Sequence, residues 1–415
     1  MQRLHPHEIN PRMGTPPEAL EYGTFTNGDG ASIRYAQAMP PADKLVDGKP
    51  TGVAVIVPGF RVSIERYYER IREHLDRGEA VYAMDWRGQG GSQRYHKNLP
   101  QRPGAQGYEH DAADLDQFVT QVAKLDVTHP GLRKTLYAHS MGGNIAMRYL
   151  HDYPGRFDNA VITAPMLGIQ TGKAPKWLAK LVAKATNLFD TSGYMPGEKD
   201  WSEDNLMQPI TGKINDRIVR QAMQDVFYRG IPDLRVGGAT ASWFLEACRS
   251  VAILRDPDYL NEIKTPIMLV AGGLDDVVDP EAILRAAKYL PQVNFHDYRR
   301  SGHSPWMESN PVRKKLWGHV DDFLAGNTQT PTARADQGPG TNRVQQPALD
   351  HRQKLSPWAT ARRLVSGPKA RERHSPSDTS HNRETHAPSP SQRSPSRLEA
   401  GQSGSAPAQR RRLAP

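Results

Sequence analysis

LYAHSMGG, residues 136–143, joins a short apolar run to a serine and two glycines. This order of residues suits a strand that turns sharply into a helix and presents one hydroxyl, that of Ser140, at the turn. Ala138 stands where the common form of the motif has glycine, and a small side chain is needed there because the helix packs close against the strand. A serine that only caps a helix would not explain glycine at both 142 and 143. The segment therefore favours a nucleophile elbow over a structural cap.

A serine hydroxyl is a weak nucleophile at neutral pH, so it needs a base to take its proton and a carboxylate to orient that base. The apolar run 267–271, IMLVA, predicts a buried strand, and Asp275 follows just past its end. Asp275 is the preferred acid. Asp276 is interpreted as a solvated neighbour in the loop, and Asp279, which precedes Pro280, as the N-cap of the next helix.

The candidate base follows the last predicted strand, 293–298. His303 lies in the loop after that strand, directly behind Gly302. A histidine taken alone is more often a surface or core residue, but this position favours a base. Serine, aspartate and histidine then follow in the chain order of an α/β-hydrolase.

Catalysis of this kind also needs backbone N–H donors for an oxyanion, one of them directly after the nucleophile. The apolar run 51–57 predicts a buried strand, and Pro58, Gly59 and Phe60 follow it. The amides of Met141 and Phe60 are the predicted donors. A structural turn is the alternative explanation for Pro-Gly.

Six motifs in this order carry a family resemblance. They are VIVPGF, MDWRGQGGS at 84–92, AHSMGG, TAPMLGI at 163–169, GGLDDVV and SGH. Between about Tyr22 and Leu324 the chain resembles the bacterial lysophospholipase and monoacylglycerol-lipase-like branch of the α/β-hydrolases. The resemblance implies a triad of Ser140, Asp275 and His303 and the hydrolysis of lipid esters without a metal or organic cofactor. It does not determine the substrate within that branch.

Alternating strand and helix patterns between 22 and 326 predict an α/β fold with a mostly parallel central sheet. The predicted helices include 64–77, 111–125 and 141–153. About 100 residues separate two of the strands, which is far longer than an ordinary connection and predicts a helical cap over Ser140. The predicted organisation is an N-terminal extension at 1–21, the first half of the core at 22–165, the cap at 166–265, the second half at 266–326, and a disordered tail at 327–415.

The stretch 174–189 within the predicted cap has the pattern of an amphipathic helix. Apolar residues lie on one helical face, and Lys176, Lys180 and Lys184 recur every four residues along another. Such a helix can lie on an anionic bilayer with its apolar side down. Alternatively, the apolar face covers an acyl tunnel and the lysines are only solvated. The candidate substrate-binding residues of the cap are Trp177, Leu181, Trp243 and Phe244.

The distribution of charge limits the classes of binding partner that the sequence predicts. The chain has 415 residues with 54 Lys and Arg and 45 Asp and Glu. The tail carries 15 of the basic and 6 of the acidic residues, so residues 1–326 carry 39 of each and are neutral. A basic, Pro- and Ser-rich tail could contact anionic lipid, RNA or an acidic protein; a solvated, nonspecific tail is the favoured interpretation, and no specific nucleic-acid partner is predicted.

The chain contains no apolar stretch of 18 residues and no leader-like N-terminus, and Cys248 is its single cysteine. These features predict a cytoplasmic protein, with peripheral contact at the inner face of a membrane through the cap helix or the tail.

The sequence therefore predicts a serine esterase of lipid substrates, a lysophospholipase or a monoacylglycerol lipase. Two rival classes stay open. One is another α/β-hydrolase reaction on small apolar substrates, such as ester or peptide cleavage, since a fold does not determine its chemistry. The other is a noncatalytic binding protein built on the same fold.

Overall fold

The computed structural model describes residues 9–171, 175–208 and 213–327. Eight strands form one sheet in the order β1-β2-β4-β3-β5-β6-β7-β8. The two pairs that involve β2 are antiparallel, and the other five are parallel. The strands are β1 (Glu21–Thr26), β2 (Ser32–Ala38), β3 (Gly52–Val57), β4 (Glu79–Met84), β5 (Lys134–His139), β6 (Asn159–Thr163), β7 (Ile267–Gly272) and β8 (Val293–Tyr298).

Helices cover both faces of this sheet, which explains why β3, β4 and β7 are buried along their whole length and have runs of apolar residues without alternation. The helices are α1 (Pro11–Gly14), α2 (Tyr68–Asp76), α3 (Tyr108–Gln117), α4 (Leu125–Thr128), α5 (Met141–Asp152), α6 (Lys176–Phe189), α7 (Asp216–Gly230), α8 (Ala241–Ile253), α9 (Pro257–Asn261), α10 (Pro280–Ala287) and α11 (Asn310–Leu324). One apolar core includes α3, α5, α8 and α10, and the other includes α2, α7 and α11. The prediction of an α/β-hydrolase fold with a mostly parallel sheet is confirmed.

The single helix predicted over 111–125 is wrong in its extent. The α-helix ends at Gln117 and continues as a π-helical turn over Phe118–Val122. Lys124 then adopts a left-handed conformation with φ 50°, and α4 starts after it. The apolar spacing persists through this break because Phe118, Val119 and Leu125 all still reach the core, so periodicity alone could not reveal it.

The N-terminal segment before β1 packs against the core. Arg12 forms an ion pair with Asp76 at the end of α2, with 2.6 Å between Nη2 and Oδ2. Arg72 donates to the carbonyls of Arg12, Thr15 and Pro16. The described part of the predicted extension is therefore anchored on α2.

Helices α6 to α9 fall within the predicted cap, between β6 and β7. Amphipathic α6 exists, but the fold does not cover its predicted apolar face. The buried residues of α6 are Ala179 and Ala183, and it packs on α8 through that side. Trp177 is 68% exposed and Leu181 is 56% exposed. The interpretation in which this face covers a tunnel is therefore wrong for this structure.

Two further observations concern the ends of the chain and the membrane. Apart from Asn327, the tail predicted as disordered lies outside the described residues. Among the helices of the described segments, none has the length and apolar character that a membrane span requires.

Candidate active site

Ser140 stands at the turn between β5 and α5, with φ 54° and ψ −119°. Such a conformation is costly for a residue with a side chain, so the surrounding backbone must hold it. The Ser140 amide donates to the carbonyl of Thr163 at 3.1 Å, and its carbonyl accepts from Met166 at 3.0 Å. The strained turn is thereby anchored to the end of the neighbouring strand β6.

The two glycines after Ser140 let α5 start close to its neighbours. A Cβ on Gly142 would lie 2.3 Å from the carbonyl oxygen of Pro58, and one on Gly143 would lie 2.8 Å from the Ile162 side chain. Neither distance is compatible with a side chain. The glycines are therefore required by the close approach of β3 and β6 to the helix start.

Ser140, His303 and Asp275 lie in a hydrogen-bonded row. The distance from Ser140 Oγ to His303 Nε2 is 2.9 Å, and that from His303 Nδ1 to Asp275 Oδ2 is 2.7 Å. The Asp275 side chain is inaccessible to solvent, while the His303 side chain keeps 19% of its surface exposed. The carboxylate at one end of the row is thus buried, and the imidazole in its middle is partly accessible to solvent.

Among the three candidate acids, Asp275 is the one that contacts His303. Its second oxygen, Oδ1, accepts from the amides of Val277 and Val278 at 2.8 and 2.9 Å, which leaves Oδ2 for the imidazole. Asp276 is exposed. Asp279 caps α10 by accepting from the Glu281 amide at 3.1 Å.

The loop after β3 lies against the serine. A Cβ on Gly59 would be 3.2 Å from that of Ser140, so Gly59 lies against the serine. Phe60 is the next residue of the loop. Trp86 Nε1 donates to the Pro58 carbonyl at 2.7 Å and holds the loop from the other side. The predicted donors, the amides of Phe60 and Met141, belong to the residues that directly follow Gly59 and Ser140, and within the described segments neither amide donates to a backbone carbonyl outside the regular elements.

Sequence reasoning missed Gln89, which connects the two halves of this region. Its Oε1 accepts from the amide of Arg61 at 2.7 Å, and its Nε2 lies 3.6 Å from Met141 Sδ. Gln89 therefore contacts the residue after Phe60 and the side chain of Met141 together. It lies in the MDWRGQGGS motif, but the motif does not indicate which residues a buried glutamine contacts.

Residues 48–310 match the model of the family Hydrolase_4, described as serine aminopeptidase, S33. The chain belongs to this family. It is also similar to the probable lysophospholipase L2 of Haemophilus influenzae, with 24% identity over 65% of this chain and 82% of the relative. With lysophospholipase L2 of Escherichia coli it shares 30% identity over 55% of this chain and 64% of the relative.

A solved structure supports the fold of this hydrolase. A soluble variant of monoglyceride lipase from Saccharomyces cerevisiae, in complex with a substrate analog, superposes with a TM-score of 0.58 at 18% identity, covering 77% of this chain and 98% of that one. The predicted resemblance to lysophospholipases and monoacylglycerol lipases is confirmed, and so is the prediction of an enzyme of the hydrolase class.

A second histidine of the hydrolase, His139, lies beside the row. Its ring centroid is 4.9 Å from that of His303, its Nδ1 lies 3.1 Å from Thr163 O, and its Nε2 lies 3.3 Å from Ser304 Oγ. Burial, followed by the nearby His303, lowers the pKa of His139 well below the usual range. A neutral His139 does not oppose a positive charge on its neighbour.

The four cap candidates have different surroundings. Trp243 of α8 stacks on Phe60, with 3.9 Å between ring centroids and 23° between planes. Phe244 is buried in the core. Trp177 and Leu181 lie on the exposed side of α6. In the described segments, no group of three His, Cys, Asp or Glu side chains is arranged to hold a metal ion.

Proposed function

We propose that this protein is a serine hydrolase that cleaves carboxylic esters of lipids. The observation that carries the proposal is the row of hydrogen bonds from Ser140 through His303 to Asp275, with distances of 2.9 and 2.7 Å. In this row a hydroxyl meets a base, and the base meets a carboxylate, which is the arrangement that activates an alcohol for attack on an acyl carbon.

His303 Nε2 takes the proton of Ser140 as Oγ bonds to the acyl carbon of the ester. Nδ1–H donates to Asp275, which orients the ring and stabilises the imidazolium. The tetrahedral intermediate collapses as His303 returns the proton to the leaving alcohol. A water molecule then loses its proton to His303 and attacks the acyl-serine, and the fatty acid leaves as Ser140 recovers its proton.

The amides of Met141 and Phe60 receive the negative oxygen in this mechanism. Met141 opens α5, where backbone N–H groups have no partner inside the helix and the helix dipole favours negative charge. Phe60 is held by its neighbours: Gln89 accepts from the Arg61 amide, and Trp243 stacks on the Phe60 ring. Donors already held in position lose little free energy to reorganisation when charge develops.

Lipid esters are the proposed substrates, with lysophospholipids and monoacylglycerols as the two leading classes. The named activities of the relatives support this choice, and so does the apolar cap residue Trp243 beside Phe60. The family description, serine aminopeptidase, makes peptide cleavage the competing activity. A panel of a lysophospholipid, a monoacylglycerol, a short p-nitrophenyl ester and an amino-acid p-nitroanilide separates them.

The test of the nucleophile combines fluorophosphonate labelling with turnover of the p-nitrophenyl ester. We expect the full-length protein to be labelled once, and Ser140→Ala to lose labelling and turnover while keeping the same circular dichroism spectrum. Ser202→Ala, which changes an exposed serine, is the matched control and stays active. Unchanged turnover in Ser140→Ala excludes the mechanism, and hydrolysis of the anilide alone excludes the lipid substrates.

We further propose that the hydrolase contacts anionic membranes through α6. At 100° per residue, the apolar arc of Trp177, Leu181 and Leu188 lies away from the buried Ala179 and Ala183. Leu188 is 80% exposed. The exposed residues Lys176, Lys180 and Lys184 border that arc on one side. Apolar side chains beside cations suit an interface with anionic headgroups.

Co-sedimentation with vesicles of phosphatidylglycerol or phosphatidylcholine tests this contact. We expect binding to phosphatidylglycerol that falls with salt, and a several-fold loss in the double variant Leu181→Gln, Leu188→Gln. Val127→Gln, which changes an apolar residue that is 77% exposed on α4, is the control and keeps binding. Equal binding by the double variant would assign the contact to another part of the chain.

A further inference from the structure

A small cavity beneath α2 is lined by an unusual number of cations. Its walls include Arg66, Arg70, Arg220, Arg313, Glu69 and Trp306. The free volume between the side chains is about 10 Å³, which is the space of about one water-sized sphere. The cavity is separate from the Ser140 row, since none of its three residues lines it.

The lining residues carry buried N–H donors that have no hydrogen-bond partner in the described segments. Four of the donors are guanidinium nitrogens and one is an indole nitrogen. They are Arg66 Nε, Arg70 Nε, Arg70 Nη2, Arg313 Nε and Trp306 Nε1. Burying a donor without an acceptor is unfavourable, so five such donors on the residues that line one cavity point to an acceptor that the neighbouring side chains do not supply.

Arg70 is the extreme case. It is 3% exposed, and its guanidinium stacks over Trp306 at 3.8 Å and Tyr137 at 4.9 Å. Aromatic faces attract a cation. They do not accept hydrogen bonds from the N–H groups that lie in the plane of the guanidinium. Burial lowers the pKa of Arg70 to about 10, which still leaves it charged at neutral pH.

The carboxylates near the cavity are already engaged. Glu69 accepts from Arg220 and Arg313, with distances of 2.8 and 2.9 Å. Glu73 accepts from Arg313 and from Trp317.

The carboxylate whose negative charge acts on Arg66 is that of Asp225. Its oxygens accept from Trp201 Nε1 and from the amides of Met207 and Gln208. Glu308, which follows the lining residue Met307, is paired with Arg217 at 2.8 Å. Within the described segments, the four arginines of the cavity therefore have three nearby carboxylates, Glu69, Glu73 and Asp225, and one positive charge is left over.

We propose that this cavity is a binding site for one monatomic anion, chloride, held by Arg66, Arg70 and Trp306. A single negative charge balances the remaining guanidinium, and a spherical acceptor takes donors from several directions. Sulfate and phosphate carry more than one negative charge at neutral pH, so they would overbalance that guanidinium. The proposal does not depend on hydrolysis, and Ser140→Ala keeps the site.

Thermal unfolding of the full-length protein at constant ionic strength tests the site. When sodium chloride or bromide replaces sodium gluconate, we expect the midpoint to rise by about 5 °C and then to saturate, because a ligand that binds only the folded state stabilises it. Sodium sulfate at the same ionic strength gives only the gradual, non-saturating rise of a salt that is excluded from the protein surface. An equal saturating rise in sulfate, or no saturating rise in chloride, overturns the proposal.

Variants and a direct observation complete the test. Arg70→Met keeps the aliphatic stem but loses the donors, and it should abolish the chloride response. Arg229→Met changes an arginine of a surface pair with Glu203 and keeps the response. Trp306→Phe, which removes one donor, weakens chloride binding several-fold and serves if Arg70→Met does not fold. Anomalous scattering from a bromide-soaked crystal must show a peak among Arg66, Arg70 and Trp306; its absence overturns the assignment.

Discussion

Helices α5 and α6 differ in how the fold uses them. Ten of the twelve residues of α5 are buried, and its N-terminus carries Ser140 against β3 and β6. Only two residues of the fourteen in α6 are buried, and both are alanines. Yet α6 has the clearer amphipathic pattern. A strong periodicity therefore predicts that a helix forms, but not that the rest of the chain covers its apolar face.

The difference has a consequence for substitutions. Around α5, positions are determined by several neighbours at once, so small changes there affect both stability and chemistry. On the outer side of α6, side chains have few protein neighbours, so changes there affect contacts with other molecules and leave folding unchanged. The following predictions test this contrast, from the largest expected effect to the smallest.

The largest effect is expected at the acid of the Ser140 row. Asp275→Asn should lower kcat/KM for the p-nitrophenyl ester by about 10⁴-fold, because the amide no longer stabilises the imidazolium or its tautomer. Steady-state kinetics with Asp276→Asn, an exposed neighbour, provides the control, which stays within about two-fold of the wild type. Equal effects of the two substitutions would contradict the assigned role of Asp275.

Gly142→Ala should destabilise the protein by about 1–3 kcal/mol, since its Cβ meets a backbone oxygen that cannot rotate away. Urea unfolding measures the change. Gly318→Ala is the matched control: Gly318 lies within α11 and has nothing within 4 Å of an added Cβ, so this variant gains about 0.5–1 kcal/mol. A neutral Gly142→Ala would mean that the loop after β3 is not held against α5.

Asp111 on α3, which packs against α5, gives a pH-dependent prediction. Burial raises its pKa to about 8, whereas the unfolded chain has an ordinary value near 4. The folded state therefore holds the proton more tightly, and the stability contributed by this group is lost as pH rises from about 4 to about 8. The loss is up to about 1.4 kcal/mol per pH unit.

The free energy of unfolding of Asp111→Asn, relative to that of the wild type, should therefore increase when the pH is raised from 5.5 to 7.5. Urea unfolding at both pH values measures this difference. In Asp126→Asn the difference from the wild type should be the same at both pH values. An ion pair with Lys134 lowers the pKa of Asp126 from its ordinary value, so that carboxylate stays ionised throughout the window. A pH-independent Asp111→Asn difference would show that the carboxyl is ionised when folded.

The smallest effect is expected on the outer side of α6. Trp177→Gln should change the free energy of unfolding by less than about 0.5 kcal/mol, because the side chain is 68% exposed and surface changes of this kind are nearly neutral. On the inner side, Ala183→Leu should destabilise by about 1–3 kcal/mol by overpacking against α8. Similar losses in the two variants would contradict the exposure of the apolar face.

Much of the site was predictable because it depends on the ends of strands. Ser140, Asp275 and His303 each follow a strand that the apolar runs reveal, and the carboxyl ends of parallel strands lie along one edge of a sheet. Local patterns could not predict Gln89, whose contacts join two loops that are distant in the chain. They also missed the left-handed Lys124, since the apolar spacing continues across it, and the burial of Arg70, since arginine is usually exposed.

The sequence by itself determined the strands that follow apolar runs, the presence of the amphipathic helices and the sharp turn at Ser140, because apolar periodicity and glycine act over a few neighbouring residues. Only the tertiary structure decided which aspartate contacts His303, which side of α6 faces solvent and which arginines have no ion pair within the described segments. Those outcomes depend on contacts between segments that are distant along the chain, and the packing of the whole molecule determines them.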